Sequence, residues 1–131
     1  IRNFDPSIPN VSIDKDMIIQ ALLNIVKNAQ EASTENGTIE LKTRVERNYT
    51  INSIKYNLVA VLSVIDSGVG ISDEIKNKLF LPLVTDKPKG SGLGLSISQQ
   101  LVSENKGVII FEEIQGQTIF KIILPINRDL I

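Results

Sequence analysis

The segment 58–65 constrains the fold of this chain more than any other stretch of its sequence. Apart from Ser63 it is apolar at every position, so both alternating sets of strand side chains would be buried. It is therefore predicted to be the central strand of a sheet, with Asp66 at its end. Upstream, residues 39–46 alternate between apolar and charged side chains, which indicates a neighbouring strand buried on one face only.

Two long helices and one short helix are predicted around these strands. From residue 15 to about residue 33, apolar residues recur at three- and four-residue steps, and Asp14 is the predicted cap. A second long helix is predicted for residues 93–105, where the pattern stops before a glycine. The short helix is predicted for residues 73–80. These periods indicate helices that each bury one face.

The other segments complete a single sheet. We predict an edge strand and a loop within residues 1–13, a polar loop at 47–56, a longer loop at 81–93, and two strands at 108–114 and 118–124. The order has neither the regular alternation of a doubly wound fold nor internal repeats. The predicted fold class is α+β: a two-layer sandwich with a mixed, mostly antiparallel sheet and about three helices on one face.

The composition fits one compact domain over residues 1–131 and excludes several kinds of chemistry. Hydrophobic residues make up 42%, which suffices for a core. The chain has no cysteine and no histidine, which excludes disulfides, thiolate catalysis and the commonest general base. A net charge of −1 without a basic block argues against nucleic acid or an anionic membrane as the main partner.

Two asparagines, Asn24 and Asn28, stand four residues apart on the first predicted helix. At this spacing they lie one above the other, on a polar side shared with Gln20 and Glu31. An amide oxygen is a hard, neutral ligand that suits Mg²⁺, whose other ligands are water and substrate phosphate. Two asparagines on a solvated helix face remain the alternative.

Asp66 follows the central strand and precedes Gly68 and Gly70. A carboxylate backed by glycines can approach a flat ring closely and accept a hydrogen bond from the 6-amino group of adenine. Guanine carries an oxygen at that position, so two acceptors would face each other. The alternative is an ordinary turn, because aspartate, serine and glycine are common turn residues.

Three glycines, Gly90, Gly92 and Gly94, lead directly into the second long helix. Exposed backbone N–H groups at the start of a helix form an anion site, and Lys87 and Lys89 add positive charge just before it. A connector without a ligand is the alternative. The dinucleotide-binding fingerprint is excluded because no strand directly precedes the glycines.

Four segments resemble motifs of the ATP-binding catalytic domain of sensor histidine kinases. In chain order, residues 23–32 resemble the N box, 66–70 the G1 box, 79–85 the F box and 90–95 the G2 box. The fold of that family is the Bergerat sandwich, shared with gyrase, MutL and Hsp90. The resemblance therefore implies the same two-layer fold that the strand and helix patterns predict.

Three further segments resemble one branch of these kinases. Residues 4–9, 84–87 and 116–120 look like the nitrogen-regulation sensors of the NtrB type, with NtrY-type sensors as the nearest alternative. The resemblance then implies an upstream histidine-bearing dimerisation domain in a longer chain, a response regulator of the NtrC type and a PII-type regulator as partners. It implies no nucleic acid, no membrane contact by this domain, and a cytoplasmic location.

The resemblance also implies ATP and Mg²⁺ as cofactors, with a role for each motif residue. Asn28 would coordinate Mg²⁺, and Asn24 would assist at the phosphates. Asp66 would bind adenine, with Thr118 helping through a water molecule. The residues implied to line the base, form the lid and meet the terminal phosphate are Gly68, Gly70, Lys87, Gly90, Gly92, Leu93 and Gly94.

Two positions depart from the family pattern. Many members carry a basic residue three positions after the second asparagine, where this chain has Glu31. The usual His-Gly-Gly after the second long helix is replaced by residues 105–107, Asn-Lys-Gly. The first departure weakens any role of this helix in supplying a cation to the phosphates.

The favoured hypothesis is a catalytic domain that presents the γ-phosphate of ATP to a histidine on a separate helical domain. Gyrase-like relatives carry a glutamate that activates water at the position of Asn24, and an amide cannot take that role. An ATPase-clamp domain and a nucleotide-binding or partner-docking module without catalysis remain the alternatives. No residue of this chain is predicted to catalyse the transfer by itself.

Overall fold

The computed structural model describes residues 2–6, 8, 13–32, 37–66, 94–114 and 116–128, with the backbone alone at 31, 32, 127 and 128. Seven elements lie within these ranges. In chain order they are β1 (Arg2–Asn3), α1 (Lys15–Ala32), β2 (Ile39–Ile51), β3 (Ile54–Asp66), α2 (Gly94–Glu104), β4 (Val108–Ile114) and β5 (Gln117–Arg128). The short helix predicted at 73–80 and the loop predicted at 81–93 lie outside the described residues.

The strands form one mixed sheet in the order β1-β2-β3-β5-β4. β3 is the central strand and pairs antiparallel with β2 on one side and β5 on the other. β1 pairs parallel with β2, and β4 pairs antiparallel with β5. The predicted α+β class, the central strand and the edge strand are therefore confirmed.

α1 and α2 cover one face of this sheet. Ile18, Ile25 and Ala29 from α1 and Val102 from α2 pack in one core cluster with the sheet. The sheet residues in that cluster are Val64, Ile109, Phe120, Ile122 and Leu124. The Asp14 carboxylate accepts hydrogen bonds from the backbone N–H groups of Asp16 and Met17 at 3.1 and 3.2 Å, which confirms the predicted cap.

The prediction of a polar loop at 47–56 was wrong. β2 continues to Ile51, and β3 begins at Ile54, so the two strands form one long hairpin. Asn52 and Ser53 both have positive φ, 49° and 69°, as the two central residues of a type I′ turn require. Asparagine tolerates this conformation better than most residues, which explains how a hairpin turn forms without glycine.

The tip of this hairpin packs on the sheet face opposite the helices. Asn48 has φ of 54°, and the ladder between β2 and β3 skips this residue without a change of register. Ile51 and Tyr56 from the tip join Val59, Val61 and Ile123 in a second buried cluster. Burial, and then the nearby carboxylates Glu46 and Glu112, raise the pKa of Tyr49. Since Glu112 belongs to β4, the tip extends over the outer face toward the far edge of the sheet.

Two charged residues of β2 bind the edge strand β1. The Arg44 guanidinium donates hydrogen bonds to the Asn3 carbonyl oxygen at 3.1 Å and to the Asn3 side-chain oxygen at 2.8 Å. Asn3 in turn donates to the Glu40 carboxylate at 3.1 Å. Arg44 and Glu40 therefore bind β1, whereas the alternation in the sequence indicates only that their side of β2 lies away from the core.

Candidate functional site

Asp66 and Thr118 face each other across the central strands. Asp66 is the last residue of β3, and Thr118 is its partner in β5. Strand alternation puts both side chains on the face that carries Val64 and Phe120, which is the face covered by the helices. The two side chains are 2% and 4% exposed. The structure thus pairs two predicted adenine-site residues that lie fifty-two positions apart in the sequence.

Asn24 and Asn28 lie on α1, and both are half-buried. Asn28 follows Ala21 by seven residues, or about two turns, so both point toward the same side of the helix. The Ala21 side is the one that meets α2, because the Ser98 hydroxyl donates a hydrogen bond to the Ala21 carbonyl oxygen. Asn28 therefore lies on the flank of α1 that faces α2. This placement favours the ligand hypothesis over the alternative of an asparagine on a solvated helix face.

Two hydrogen-bonded ties join α1 to α2. The Ser98 hydroxyl reaches the Ala21 carbonyl oxygen at 3.0 Å, and both residues are 0% exposed. The Asn105 side-chain oxygen accepts a hydrogen bond from the Asp14 backbone N–H at 2.7 Å, and its amide donates to the Leu101 carbonyl oxygen at 2.9 Å. The start of α1 therefore lies against the end of α2, and the helices run antiparallel.

This topology brings the described candidates toward one end of the sheet. The chain runs from the end of α1 to Ile39 within seven residues, and Ile39 pairs with Asp66. The second half of α1, with Asn28, thus lies toward the Asp66 end. Because α2 is antiparallel to α1, its first residue, Gly94, belongs to the same end. Four separate parts of the sequence therefore approach one region.

The remaining predicted site residues lie outside the described residues. They are Gly68, Gly70, Lys87, Gly90, Gly92 and Leu93. Among the residues that the structure describes, no three acidic, histidine or cysteine side chains are grouped so as to bind a metal ion. A cation at this end would therefore depend on amide oxygens such as that of Asn28 and on oxygens of a bound ligand.

Sequence reasoning missed the two residues that join the helices. Ser98 was assigned no role, although its spacing from Leu95 and Val102 puts it on the buried side of α2. Asn105 was noted only as a departure from a family motif. A buried serine within an apolar helical stripe is a signal that could have been followed, because a buried hydroxyl needs a hydrogen-bond partner.

Comparison with known families identifies the class of protein that this fold belongs to. Residues 13–128 match the model of the histidine kinase-, DNA gyrase B- and HSP90-like ATPase family, and the chain belongs to this family. The match spans the segments that resemble the N, G1, F and G2 boxes, so the resemblance noted from the sequence is confirmed. In the described part of the chain, no helix is long and apolar enough to cross a membrane.

Individual relatives are histidine kinases. The chain is 41% identical to the sensory histidine kinase/phosphatase NtrB of Klebsiella oxytoca and 42% identical to that of Escherichia coli O157:H7, in each case over 98% of this chain. It spans only 37% of the length of these relatives. The solved catalytic domain of histidine kinase ThkA superposes with a TM-score of 0.77 at 35% identity, over 95% of this chain and 76% of that one.

A second solved structure contains a signalling partner. It is histidine kinase ThkA in complex with response regulator protein TrrA, which matches with a TM-score of 0.72 at 32% identity. This chain is covered over 96% of its length but spans 33% of that one. The fold is thus that of the catalytic domain of histidine kinases.

Proposed function

We propose that this chain is the ATP-binding catalytic domain of a two-component sensor histidine kinase that acts in nitrogen regulation. The main support is the pairing of Asp66 with Thr118 at the end of the sheet toward which Asn28 and Gly94 also lie. Membership of the ATPase family and the identity to NtrB proteins support the same proposal. The chain would bind Mg-ATP and deliver its γ-phosphoryl group to a histidine on another domain.

Adenine recognition is assigned to Asp66. Its carboxylate is buried, and a hydrogen bond between a buried carboxylate and a ligand amino group is stronger than the same bond in water. Thr118 would hold a bridging water against the ring from the neighbouring strand. Guanine would present a carbonyl oxygen to the Asp66 carboxylate, so the site would discriminate against it. Gly68 and Gly70 would let the backbone approach the base.

The phosphates and their cation are assigned to α1 and the start of α2. Asn28 would hold Mg²⁺ through its amide oxygen, with phosphate oxygens and water as the other ligands, and Asn24 would contact the phosphates. The donor set fits this ion, because the half-buried Asn28 supplies a hard, uncharged oxygen beside α2. The bound cation would neutralise phosphate charge. Gly90, Gly92, Leu93 and Gly94 would cover the phosphates, and Lys87 would meet the terminal one.

The proposed chemistry needs no general base from this chain. Imidazole is itself nucleophilic, so the accepting nitrogen can attack phosphorus directly. The domain would contribute position and charge stabilisation, as in other phosphoryl transfers. The accepting histidine must lie elsewhere, since these 131 residues contain none. An upstream dimerisation domain of the same protein is the proposed acceptor.

The proposed partners are those that the resemblance to NtrB-type sensors implies. A response regulator of the NtrC type would receive the phosphoryl group through the whole kinase, and a PII-type protein would regulate it, in the cytoplasm. The structure of ThkA with response regulator TrrA supports the general arrangement of kinase and regulator.

The test is phosphorylation in trans. The 131-residue chain is mixed with radiolabelled Mg-ATP and the histidine-bearing dimerisation domain of the same protein, and acid-labile phosphate on that domain is measured. We expect labelling of the added domain and none of the chain itself. If the chain binds Mg-ATP but transfers no phosphoryl group, it is a nucleotide-binding module without catalysis. Steady hydrolysis of ATP that is lost in Glu31→Gln would instead support an ATPase clamp.

A further inference from the structure

The contact between Ser98 and Ala21 joins two helices at a fully buried point, where a hydroxyl reaches the backbone of the neighbouring helix. The hydrogen bond is 3.0 Å long, and both residues are 0% exposed. The Ala21 carbonyl oxygen already accepts from within its own helix, so this second bond is not needed to satisfy it. Its effect is to fix where one helix lies along the other.

The second tie has the same spacing. Asp14, which caps α1, precedes Ala21 by seven residues, and Asn105, which directly follows α2, comes seven residues after Ser98. The pairs Asp14–Asn105 and Ala21–Ser98 therefore define one antiparallel register over about 10 Å of each helix. Sliding or rotating α1 against α2 would break both bonds.

This register controls the direction of the asparagines. Asn28 lies seven residues beyond Ala21, which returns it to within about 20° of the same helical direction. Asn24 lies nearly one turn beyond Ala21. The Ser98 bond is thus the tie nearest to both asparagines, whereas the Asn105 bond acts at the far end of α1.

We propose that Ser98 is a positioning residue that holds α1 in the rotation and register in which Asn28 can bind the cation of a Mg-nucleotide. This inference rests on the proposed function and goes beyond it, because it assigns the metal dependence of binding partly to a residue that touches no ligand. Ser98 acts through Ala21 and the backbone of α1. Its loss would weaken the contribution of Mg²⁺ while leaving recognition of the base intact.

Three substitutions separate the hydrogen bond from packing. Ser98→Cys keeps nearly the same volume but replaces the hydroxyl by a poor donor. Ser98→Thr keeps the hydroxyl but adds a methyl group at a fully buried position. Ser98→Ala removes the donor and leaves only a small cavity. Ser103→Ala, at an exposed serine of the same helix, is the control.

The measurement is the dissociation constant of ADP by calorimetry, once with excess Mg²⁺ and once with EDTA, together with the melting temperature. We expect the ratio of the two constants to fall about three- to tenfold in Ser98→Cys and Ser98→Ala. Ser98→Thr should keep the wild-type ratio although it melts earlier, and Ser103→Ala should change neither quantity. Binding of ADP in EDTA should be unchanged throughout.

The opposite ranking of the variants by metal dependence would overturn the inference. If Ser98→Thr loses metal dependence and Ser98→Cys retains it, packing alone decides, and Ser98 is only structural. If the Ser98 variants lose as much ADP affinity with EDTA as with Mg²⁺, the conclusion is the same. A wild-type chain whose ADP affinity ignores Mg²⁺ would instead count against the proposed function itself, so the two failures are distinguishable.

Discussion

Thr118 lies directly opposite Asp66 on the neighbouring antiparallel strand, and the two side chains are 4% and 2% exposed. Directly opposed residues on one face have Cβ atoms about 5 Å apart, so one small ligand group can lie against both. Because both side chains are buried at the end of the central strand, a ligand group at the proposed base site would bind in a low-dielectric environment. Substitution of the carboxylate should therefore act on selectivity more than on folding.

Asp66→Asn is expected to relax the preference for adenine over guanine nucleotides. The amide can donate to the oxygen of guanine, whereas the carboxylate can only accept. We expect the ratio of ADP to GDP affinity to fall at least about tenfold, or about 1.4 kcal/mol, by competition binding. Ser63→Ala, a buried polar residue on the opposite face of the same strand, is the matched control. An unchanged ratio in Asp66→Asn would refute the assigned role.

Asn28→Ala is expected to weaken Mg-ATP binding by at least about tenfold, because a metal ligand is removed. Titration with Mg-ATP measures this directly. Gln20→Ala, at an exposed position on the same helix, should change binding within about 0.5 kcal/mol. If Asn28→Ala behaves like Gln20→Ala, Asn28 is a surface residue and the metal lies elsewhere.

Gly107→Ala is expected to destabilise the chain by roughly 1–3 kcal/mol in urea unfolding. A Cβ at this position would lie 2.5 Å from the Ile123 carbonyl oxygen and 2.9 Å from atoms of Val102 and Leu124. Backbone atoms cannot give way as a flexible side chain can. Gly116→Asn is the contrast: nothing lies within 4 Å of its Cβ, and asparagine tolerates its φ of 79°. If Gly107→Ala does not change stability, the connection between α2 and β4 does not approach β5 so closely.

Ile51→Ala tests whether the hairpin tip is part of the core. Ile51 is 3% exposed within the outer cluster, so its truncation should cost about 2–5 kcal/mol of unfolding free energy. Thr50→Ala, next to it but exposed, should cost no more than about 0.5 kcal/mol. Similar small losses in both variants would show that the tip does not pack on the sheet in solution.

The fold was predictable where periodicity is strong. The apolar run ending at Ile65 could only be a central strand, and the three- and four-residue steps from Ile18 to Ala29 matched α1 almost to the residue. The residues 47–56 were not predictable in this way, because six of these ten side chains are polar: Arg47, Asn48, Thr50, Asn52, Ser53 and Lys55. Their strand structure depends on Ile51 and Tyr56 packing against distant residues, a tertiary effect that overrides local polarity.

The candidate site was predictable to a smaller extent. The sequence motifs named Asp66, Thr118 and Asn28, and the structure brings the first two together and turns the third toward α2. Their roles stay predictions until nucleotide binding is measured. The roles of Ser98 and Asn105 in joining the helices were not predictable, because no local pattern reveals which helix a side chain will meet; only the antiparallel register of α1 and α2 does.

That register also restricts how the length of the chain can vary. One residue inserted or deleted between Ala21 and Asn28 would turn the amide about 100° around the axis of α1 while the tie at Ser98 stayed in place. Homologous chains should therefore keep this interval constant. Insertions and deletions should occur instead at the hairpin turn of Asn52 and Ser53, where they would not change the position of either helix.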